Sequence, residues 1–85
     1  MNRIEKIKSL IDAGVKVYDE NEGYECFKTK SGEYAVKFKP NGYTIGMFWD
    51  NDTKMNITAP FYYQNGKRIE LWYFSLYLGN RVQPE

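Results

Sequence analysis

The fold is decided by residues 24–49, which read YECFKTKSGEYAVKFKPNGYTIGMFW. Two glycine-containing pairs, Ser31-Gly32 and Asn41-Gly42, divide this stretch into three segments in which polar and apolar residues alternate. Alternation with a period of two is typical of strands that have one buried face, and glycine accepts the positive φ that tight turns need. The stretch therefore predicts three consecutive antiparallel strands, at 24–30, 33–39 and 43–49.

Two-residue turns at both positions predict one register for all three strands. Phe27 is then opposite Val36, and Val36 is opposite Met47. The predicted core face holds Phe27, Tyr34, Val36, Phe38, Ile45, Met47 and Trp49. The predicted outer face holds Lys28, Lys30, Lys37 and Lys39 with Tyr24, Cys26 and Phe48. A slip of one residue exchanges the two faces of a strand, so this prediction depends on the length of each turn.

A helix is predicted before the strands, at residues 3–13. Its apolar stripe, at helical spacing, consists of Ile4, Ile7, Leu10 and Ile11. Asn2 and Glu5 have the spacing of a capping box, and Gly14 suits the left-handed position that follows a helix. This helix is the natural cover for the apolar face of the sheet.

The C-terminal half contains a further hairpin signal, Asn65-Gly66, between two aromatic-rich segments. Residues 67–78 also match a helical stripe, but the aromatic enrichment and the turn favour a strand. The complete pattern predicts an α+β fold, with an N-terminal helix packed on one face of an antiparallel sheet of about five to six strands. Residues 1–80 are predicted to form a single domain, and residues 81–85 a flexible tail.

The composition narrows the classes of function. The net charge is only +1, from 12 basic and 11 acidic residues, which excludes a nucleic-acid binder driven by gross charge. The chain has no His and one Cys, Cys26, so neither an intramolecular disulfide nor a metal site is predicted. No cofactor is predicted either. No apolar run approaches the roughly 20 residues of a membrane span, so we expect a cytosolic protein without membrane contact.

The predicted outer sheet face is the first candidate site. Lysines contact phosphates and flat aromatic rings stack on bases, so this combination suits RNA or single-stranded DNA. The nucleic-acid candidates are Lys28, Lys30, Lys37, Lys39, Tyr24 and Phe48. The alternative, a solvated face whose lysines serve solubility, is favoured because the net charge is so low.

The second candidate is a protein interface in the aromatic C-terminal half. This half has more aromatic residues than one small core needs, and Tyr and Trp are enriched at protein interfaces. The interface candidates are Tyr62, Tyr63, Trp72 and Tyr77. The alternative is that all of them pack internally. An open sheet edge together with surplus Tyr and Trp also predicts a homodimer.

No residues with the pattern of a catalytic site are present, and the chain is not predicted to be an enzyme. Without His, acid–base chemistry would need carboxylates, Lys or Tyr, and no paired carboxylates or phosphate loop are found. Cys26 is interpreted as a structural thiol. The loop Asp50-Asn51-Asp52 begins like a calcium loop, but Met55 and Phe61 stand where that loop needs Gly and Glu.

The chain resembles, in composition and length, the small accessory proteins of T4-type tailed phages. It has nine Lys against three Arg, with seven Asn and eight Tyr, and it opens Met1-Asn2-Arg3-Ile4-Glu5-Lys6-Ile7. The resemblance implies a non-catalytic protein that binds and inhibits a host enzyme, toxin or defence nuclease in the host cytoplasm. It transfers no residue roles. Two alternatives remain open, a small RNA or single-stranded nucleic-acid binder and a homo-oligomeric structural module.

Overall fold

The computed structural model describes residues 3–48, 56–71 and 75–81, with side chains described at 4–47 and 57–71. These residues form one helix, α1 (Arg3–Asp12), and one antiparallel sheet. Its strands are β1 (Val17–Tyr18), β2 (Tyr24–Lys28), β3 (Tyr34–Phe38), β4 (Tyr43–Phe48), β5 (Asn56–Thr58), β6 (Phe61–Gln64), β7 (Lys67–Glu70) and β8 (Ser75–Arg81). The strands lie in the order β5-β8-β4-β3-β2-β1-β6-β7. The predicted α+β class is confirmed, and the strand count rises above six partly because residues 67–78 belong to two strands.

The helix packs its apolar stripe on one face of this sheet. Ile7 and Ile11 are buried, and Gly14 takes the left-handed φ of +83° that ends the helix. The core cluster consists of Ile7, Ile11, Val17, Cys26, Val36, Met47 and Ile57. The predicted cap Asn2 lies outside the described residues. Within those residues, no helix is long and apolar enough to cross a membrane.

The register predicted between β2 and β3 is wrong by one residue. Cys26 is opposite Val36, and Phe27 is opposite Ala35. The reason is the turn, which has three loop residues, 30–32, instead of two. Thr29 N–H donates to the Glu33 carbonyl at 2.8 Å, and Gly32 takes a φ of +92°. This is the type of three-residue hairpin loop that ends in a left-handed glycine.

The one-residue shift exchanges the two faces of β2. Cys26 is fully buried beside Val36, whereas Phe27, predicted to be in the core, points to the opposite side and is half-buried. Lys28 now lies on the same face as Val36, and Lys37 lies on the other face. The predicted common lysine face is therefore wrong.

The turn between β3 and β4 is longer than predicted by two residues. Gly42 N–H donates to the Phe38 carbonyl at 2.7 Å, so residues 39–42 form the loop. Val36 is opposite Ile45 rather than Met47. A shift of two residues preserves the faces. Val36 and Met47 are accordingly buried in the core cluster as predicted, with Ile45 packed against it, while Trp49 lies outside the described residues.

The hairpin at Asn65-Gly66 is confirmed. Both residues have positive φ, +54° and +77°, and Gln64 is opposite Lys67 across a two-residue turn. Residues 67–70 and 75–81 are strand, as favoured over helix, and residues 72–74 lie outside the described part. Arg81, predicted to begin the flexible tail, is the last residue of β8. Residues 82–85 of the predicted tail lie outside the described residues.

Candidate functional site

A cluster of aromatic rings lies on the sheet face opposite α1, where β1, β6 and β7 meet. Tyr18 follows the buried Val17 and therefore points away from the helix-covered core. It is opposite Phe61, and two residues further along β6 Tyr63 is opposite Arg68. We call Tyr18, Phe61, Tyr63 and Arg68 the aromatic patch.

The rings of the aromatic patch contact one another in pairs. The Tyr18 and Phe61 centroids are 5.5 Å apart, those of Phe61 and Tyr63 5.4 Å, and those of Tyr18 and Tyr63 5.8 Å. The last two pairs meet edge to face, which is a favoured aromatic geometry. Phe61 is fully buried although it is not part of the core cluster. It forms the floor of the patch.

The Arg68 side chain covers that floor from the solvent side. Its guanidinium carbon is 3.6 Å from the Phe61 ring centroid, within the range of a cation–π contact. Its Nε also lies 3.1 Å from a Glu70 carboxylate oxygen, and the Arg68 side chain remains 40% exposed. The patch therefore presents a positioned guanidinium to solvent above a dry aromatic base.

Glu22 fixes the exposed Tyr63 at the edge of the patch. The Tyr63 hydroxyl donates to Glu22 Oε2 at 2.9 Å, and Lys39 Nζ donates to Glu22 Oε1 at 3.3 Å. These two hydrogen bonds lower the pKa of Glu22, and the same contacts raise the pKa of Tyr63 and of Lys39. Lys39 Nζ also lies 5.1 Å from the Tyr18 ring centroid. Tyr63 is 43% exposed, so an ordered phenol ring faces solvent.

The loop that carries Glu22 is held by the buried carboxylate of Asp19. Asp19 accepts from the backbone N–H of Tyr24 at 2.8 Å and of Asn21 at 3.4 Å. Glu22 takes a left-handed φ of +59°, which non-glycine residues seldom adopt. This conformation is what brings its carboxylate to Tyr63 and Lys39.

The five predicted nucleic-acid residues whose side chains are described are not brought together on one surface. Lys28 pairs with Asp12 of α1 at 3.0 Å, and the Tyr34 hydroxyl donates to the same carboxylate at 3.0 Å, so Lys28 helps to hold the helix on the sheet. Lys39 pairs with Glu22 instead. The others are distributed as follows: Tyr24 packs on the core, Lys37 is on the opposite face, Lys30 is in a loop, and the Phe48 side chain is outside the described residues. Nucleic-acid binding stays a prediction, without the common surface on which it was based.

Of the four predicted interface residues, Tyr63 lies in the aromatic patch. Tyr62 is half-buried and points to the other side of β6, and the side chains of Trp72 and Tyr77 lie outside the described residues. Sequence reasoning missed Tyr18, Phe61 and Arg68. The Asn65-Gly66 turn was a sufficient signal for Arg68, because a two-residue turn places it opposite Tyr63.

The Cys26 thiol belongs to the core. It is fully buried, and this burial, with Asp19 and Glu25 nearby, raises its pKa, which disfavours the thiolate. Its predicted structural role is confirmed. Within the described residues, no group of three or more His, Cys, Asp or Glu could hold a metal ion. The loop at 50–52 lies outside those residues.

Comparison with known proteins adds no relative: no protein family, no characterised protein and no solved structure matches the chain. The resemblance to phage accessory proteins remains a hypothesis from composition and length.

Proposed function

We propose that this chain is a non-catalytic protein-binding domain whose aromatic patch contacts a protein partner. The observation that carries the proposal is the construction of the patch, in which Tyr63 and Arg68 are exposed yet held in place above the buried Phe61. Tyr and Arg are among the residues that dominate binding energy at protein interfaces. A side chain that is already ordered loses less entropy on binding, so such anchors favour affinity.

The charges around the patch support a protein partner over a nucleic acid. Lys39 and Arg68 are each paired with a carboxylate, Glu22 and Glu70 respectively. Two cations and two anions give no excess of positive potential there. A phosphate backbone needs a cationic surface, whereas a polar rim of mixed charge around aromatic anchors is typical of protein interfaces.

For the partner itself, the phage-like composition supports a host enzyme, toxin or defence nuclease in the host cytoplasm. Under this proposal the domain inhibits its target by occupying a surface, and no group of its own takes part in chemistry. The burial of Cys26, which raises the pKa of its thiol, agrees with such a role. The chain sequence holds no His to act as a general base at neutral pH.

The proposal is tested by capture from bacterial lysate with tagged wild type, Tyr63→Ala and Tyr43→Ala. Tyr43 is the matched control, since it is 41% exposed against 43% for Tyr63 and lies on β4, away from the patch. We expect one specific protein to be retained by wild type and Tyr43→Ala, and at least about tenfold less by Tyr63→Ala. The retained protein should lose its activity when wild-type chain is added.

The same samples are treated with nuclease before capture. Retention that survives nuclease supports the protein interface. Retention of nucleic acid by wild type and Tyr63→Ala alike, with a steep salt dependence, would overturn the proposal in favour of nucleic-acid binding. Equal loss of the partner in both tyrosine variants would contradict the assignment to the aromatic patch.

A further inference from the structure

Strand β7 forms one end of the sheet. Within the described part of the chain it pairs with β6 on one side, and its other side has no strand beside it. Lys67, Arg68 and Glu70 are exposed, and Ile69 is half-buried. The other end of the sheet differs, because the Thr58 carbonyl of β5 accepts from Glu20 N–H at 3.1 Å. β7 is therefore an open edge of the described sheet.

The hydrogen bonds of the hairpin determine which backbone groups of β7 point outward. Leu71 N–H donates to the Pro60 carbonyl at 2.9 Å, so Leu71 turns its backbone toward β6. Hydrogen-bonded and non-hydrogen-bonded pairs alternate along antiparallel strands. Ile69 and Lys67 therefore also bond inward, and the N–H and C=O of Arg68 and Glu70 point away from β6.

We infer that β7 pairs antiparallel with β7 of a second copy of this chain, with Ile69 on the two-fold axis. In this register Arg68 of each copy is directly opposite Glu70 of the other. Both outward-pointing residues then find outward-pointing partners, and each such pair exchanges two backbone hydrogen bonds. The inference does not depend on the proposed function.

Charge selects this register among those the backbone allows. Within β7 only Arg68 and Glu70 have outward-facing backbone groups, so the alternative registers of this strand place Arg68 opposite Arg68 or Glu70 opposite Glu70. Like charges directly opposite each other are destabilising, and opposite charges stabilise a strand pair. The favoured register also places Ile69 against Ile69 as a non-hydrogen-bonded pair, where side chains approach most closely.

The charges also limit pairing with other chains. Charged residues on an edge strand normally prevent edge-to-edge association. Here the order Arg-Ile-Glu is complementary to itself when reversed, so the same charges that repel unrelated edges accept a second copy. A four-residue strand pair is small, and we expect a dimer that dissociates on dilution. Since the two-fold axis is perpendicular to the sheet, both aromatic patches would lie on the same side of the joined sheet.

The experiment is sedimentation of the full chain over a range of micromolar concentrations, with Arg68→Glu, Glu70→Arg and their equimolar mixture. For wild type we expect a mass that rises toward twice the 10.1 kDa of the chain. Each single variant should raise the dimer dissociation constant about tenfold or more, because like charges then face each other twice. The mixture should form heterodimers, since opposite charges meet only between the two different variants.

The mixture distinguishes repulsion across the interface from repulsion within one chain. Each variant has like charges at positions 68 and 70 of its own strand, and mixing does not change this. A gain in association on mixing therefore reports on the contact between chains. Lys67→Glu is the control. It changes an exposed residue of the same strand, but in the proposed register residue 67 is opposite Leu71 of the second copy, which carries no charge. This variant should therefore dimerise as wild type does. Glu70→Pro should be monomeric with an unchanged circular dichroism spectrum, since the backbone N–H that it removes points outward and the β6–β7 hydrogen bonds stay intact. A wild type that stays monomeric at high micromolar concentration, or a mixture no more associated than its components, would overturn the inference.

Discussion

The two faces of the sheet are closed in different ways. On one face the helix covers aliphatic side chains, and Val17, Cys26 and Val36 have no exposed surface. On the other face Phe61 is equally buried, but it is covered by Arg68 and by tyrosine rings that remain partly in solvent. The first face is a dry core, whereas at the aromatic patch the second face is covered by amphipathic side chains.

This difference follows from the size of the chain. A sheet has two faces, and the described residues supply one helix, which covers one of them. At the aromatic patch Tyr and Arg close the other face, because each joins an apolar body to a polar end that stays in water. The helix-covered face is therefore committed to stability, whereas the aromatic patch can stabilise the domain and still bind a partner.

The largest effect on stability is expected in β3, whose neighbouring residues lie on opposite faces of the sheet. Val36→Asp places an unpaired charge in the core, at a cost of several kcal/mol, which is comparable with the whole stability of a small domain. The neighbouring Lys37→Asp changes an exposed residue on the opposite face. Circular dichroism should show an unfolded Val36→Asp and a folded Lys37→Asp. Two folded variants would contradict the assignment of the core face.

A smaller loss is expected from the floor of the aromatic patch. Phe61→Ala should reduce the free energy of unfolding by about 3 kcal/mol, the usual cost of removing a buried Phe side chain. Tyr63→Ala removes a ring that is 43% exposed and should cost about 1 kcal/mol. Urea unfolding measures both values. Similar losses for the two variants would mean that Tyr63 is as much a core residue as Phe61.

The next largest effect on stability is expected in the loop at residues 30–32, whose length determines which face each β2 side chain is on. Gly32 has a φ of +92°, with open space where a Cβ would stand, so Gly32→Ala introduces backbone strain and no clash. We expect a loss of about 1 kcal/mol in urea unfolding. Gly23→Ala is the control, because its Cβ would make an ordinary contact, 3.9 Å from Asp19 Oδ1. A free energy of unfolding that Gly32→Ala leaves unchanged would argue against the three-residue turn.

The smallest effect is a pH dependence at the edge of the patch. Hydrogen bonds from Tyr63 and Lys39 lower the pKa of Glu22 below its ordinary 4.5 in the folded state. A lowered folded pKa gives stability above the unfolded pKa, and this stability is lost as the pH falls through the folded pKa. Between about pH 6 and about pH 3, the melting temperature of wild type should therefore fall slightly more than that of Glu22→Gln.

Asp12 adds to the same acid limb in both proteins, because Lys28 and Tyr34 lower its pKa. The difference between the two curves, not the limb itself, reports on Glu22. Parallel curves would show that the Glu22–Tyr63 hydrogen bond is not maintained in solution.

Two hairpins show how far the sequence could predict this fold. The turn at Asn65-Gly66 is predicted correctly because Asn tolerates the left-handed φ of +54° that a two-residue turn requires. Ser31-Gly32 looks similar, but there only Gly32 is left-handed, and the turn extends to three residues. Because the loop has one residue more than predicted, Cys26 lies in the core and Lys28 and Lys37 lie on opposite faces.

The aromatic patch was only partly predictable for a related reason. Tyr63 was a candidate on composition alone, but the contact between Tyr18 and Phe61 depends on the pairing of β1 with β6, which are far apart in the chain. Local alternation identifies a strand and its faces, not its neighbour in the sheet. The position of Glu22 depends in addition on its left-handed φ, which the sequence does not indicate because residue 22 is not a glycine.

Site-specific photo-crosslinking shows whether a partner binds the face of the sheet opposite the helix. A benzophenone amino acid replaces Tyr63 in one chain and Tyr43 in another, at two tyrosines of nearly equal exposure, 43% and 41%. After irradiation in bacterial lysate, we expect one discrete crosslinked protein band from position 63 and none from position 43. The same band from position 43 with none from position 63 would contradict this expectation.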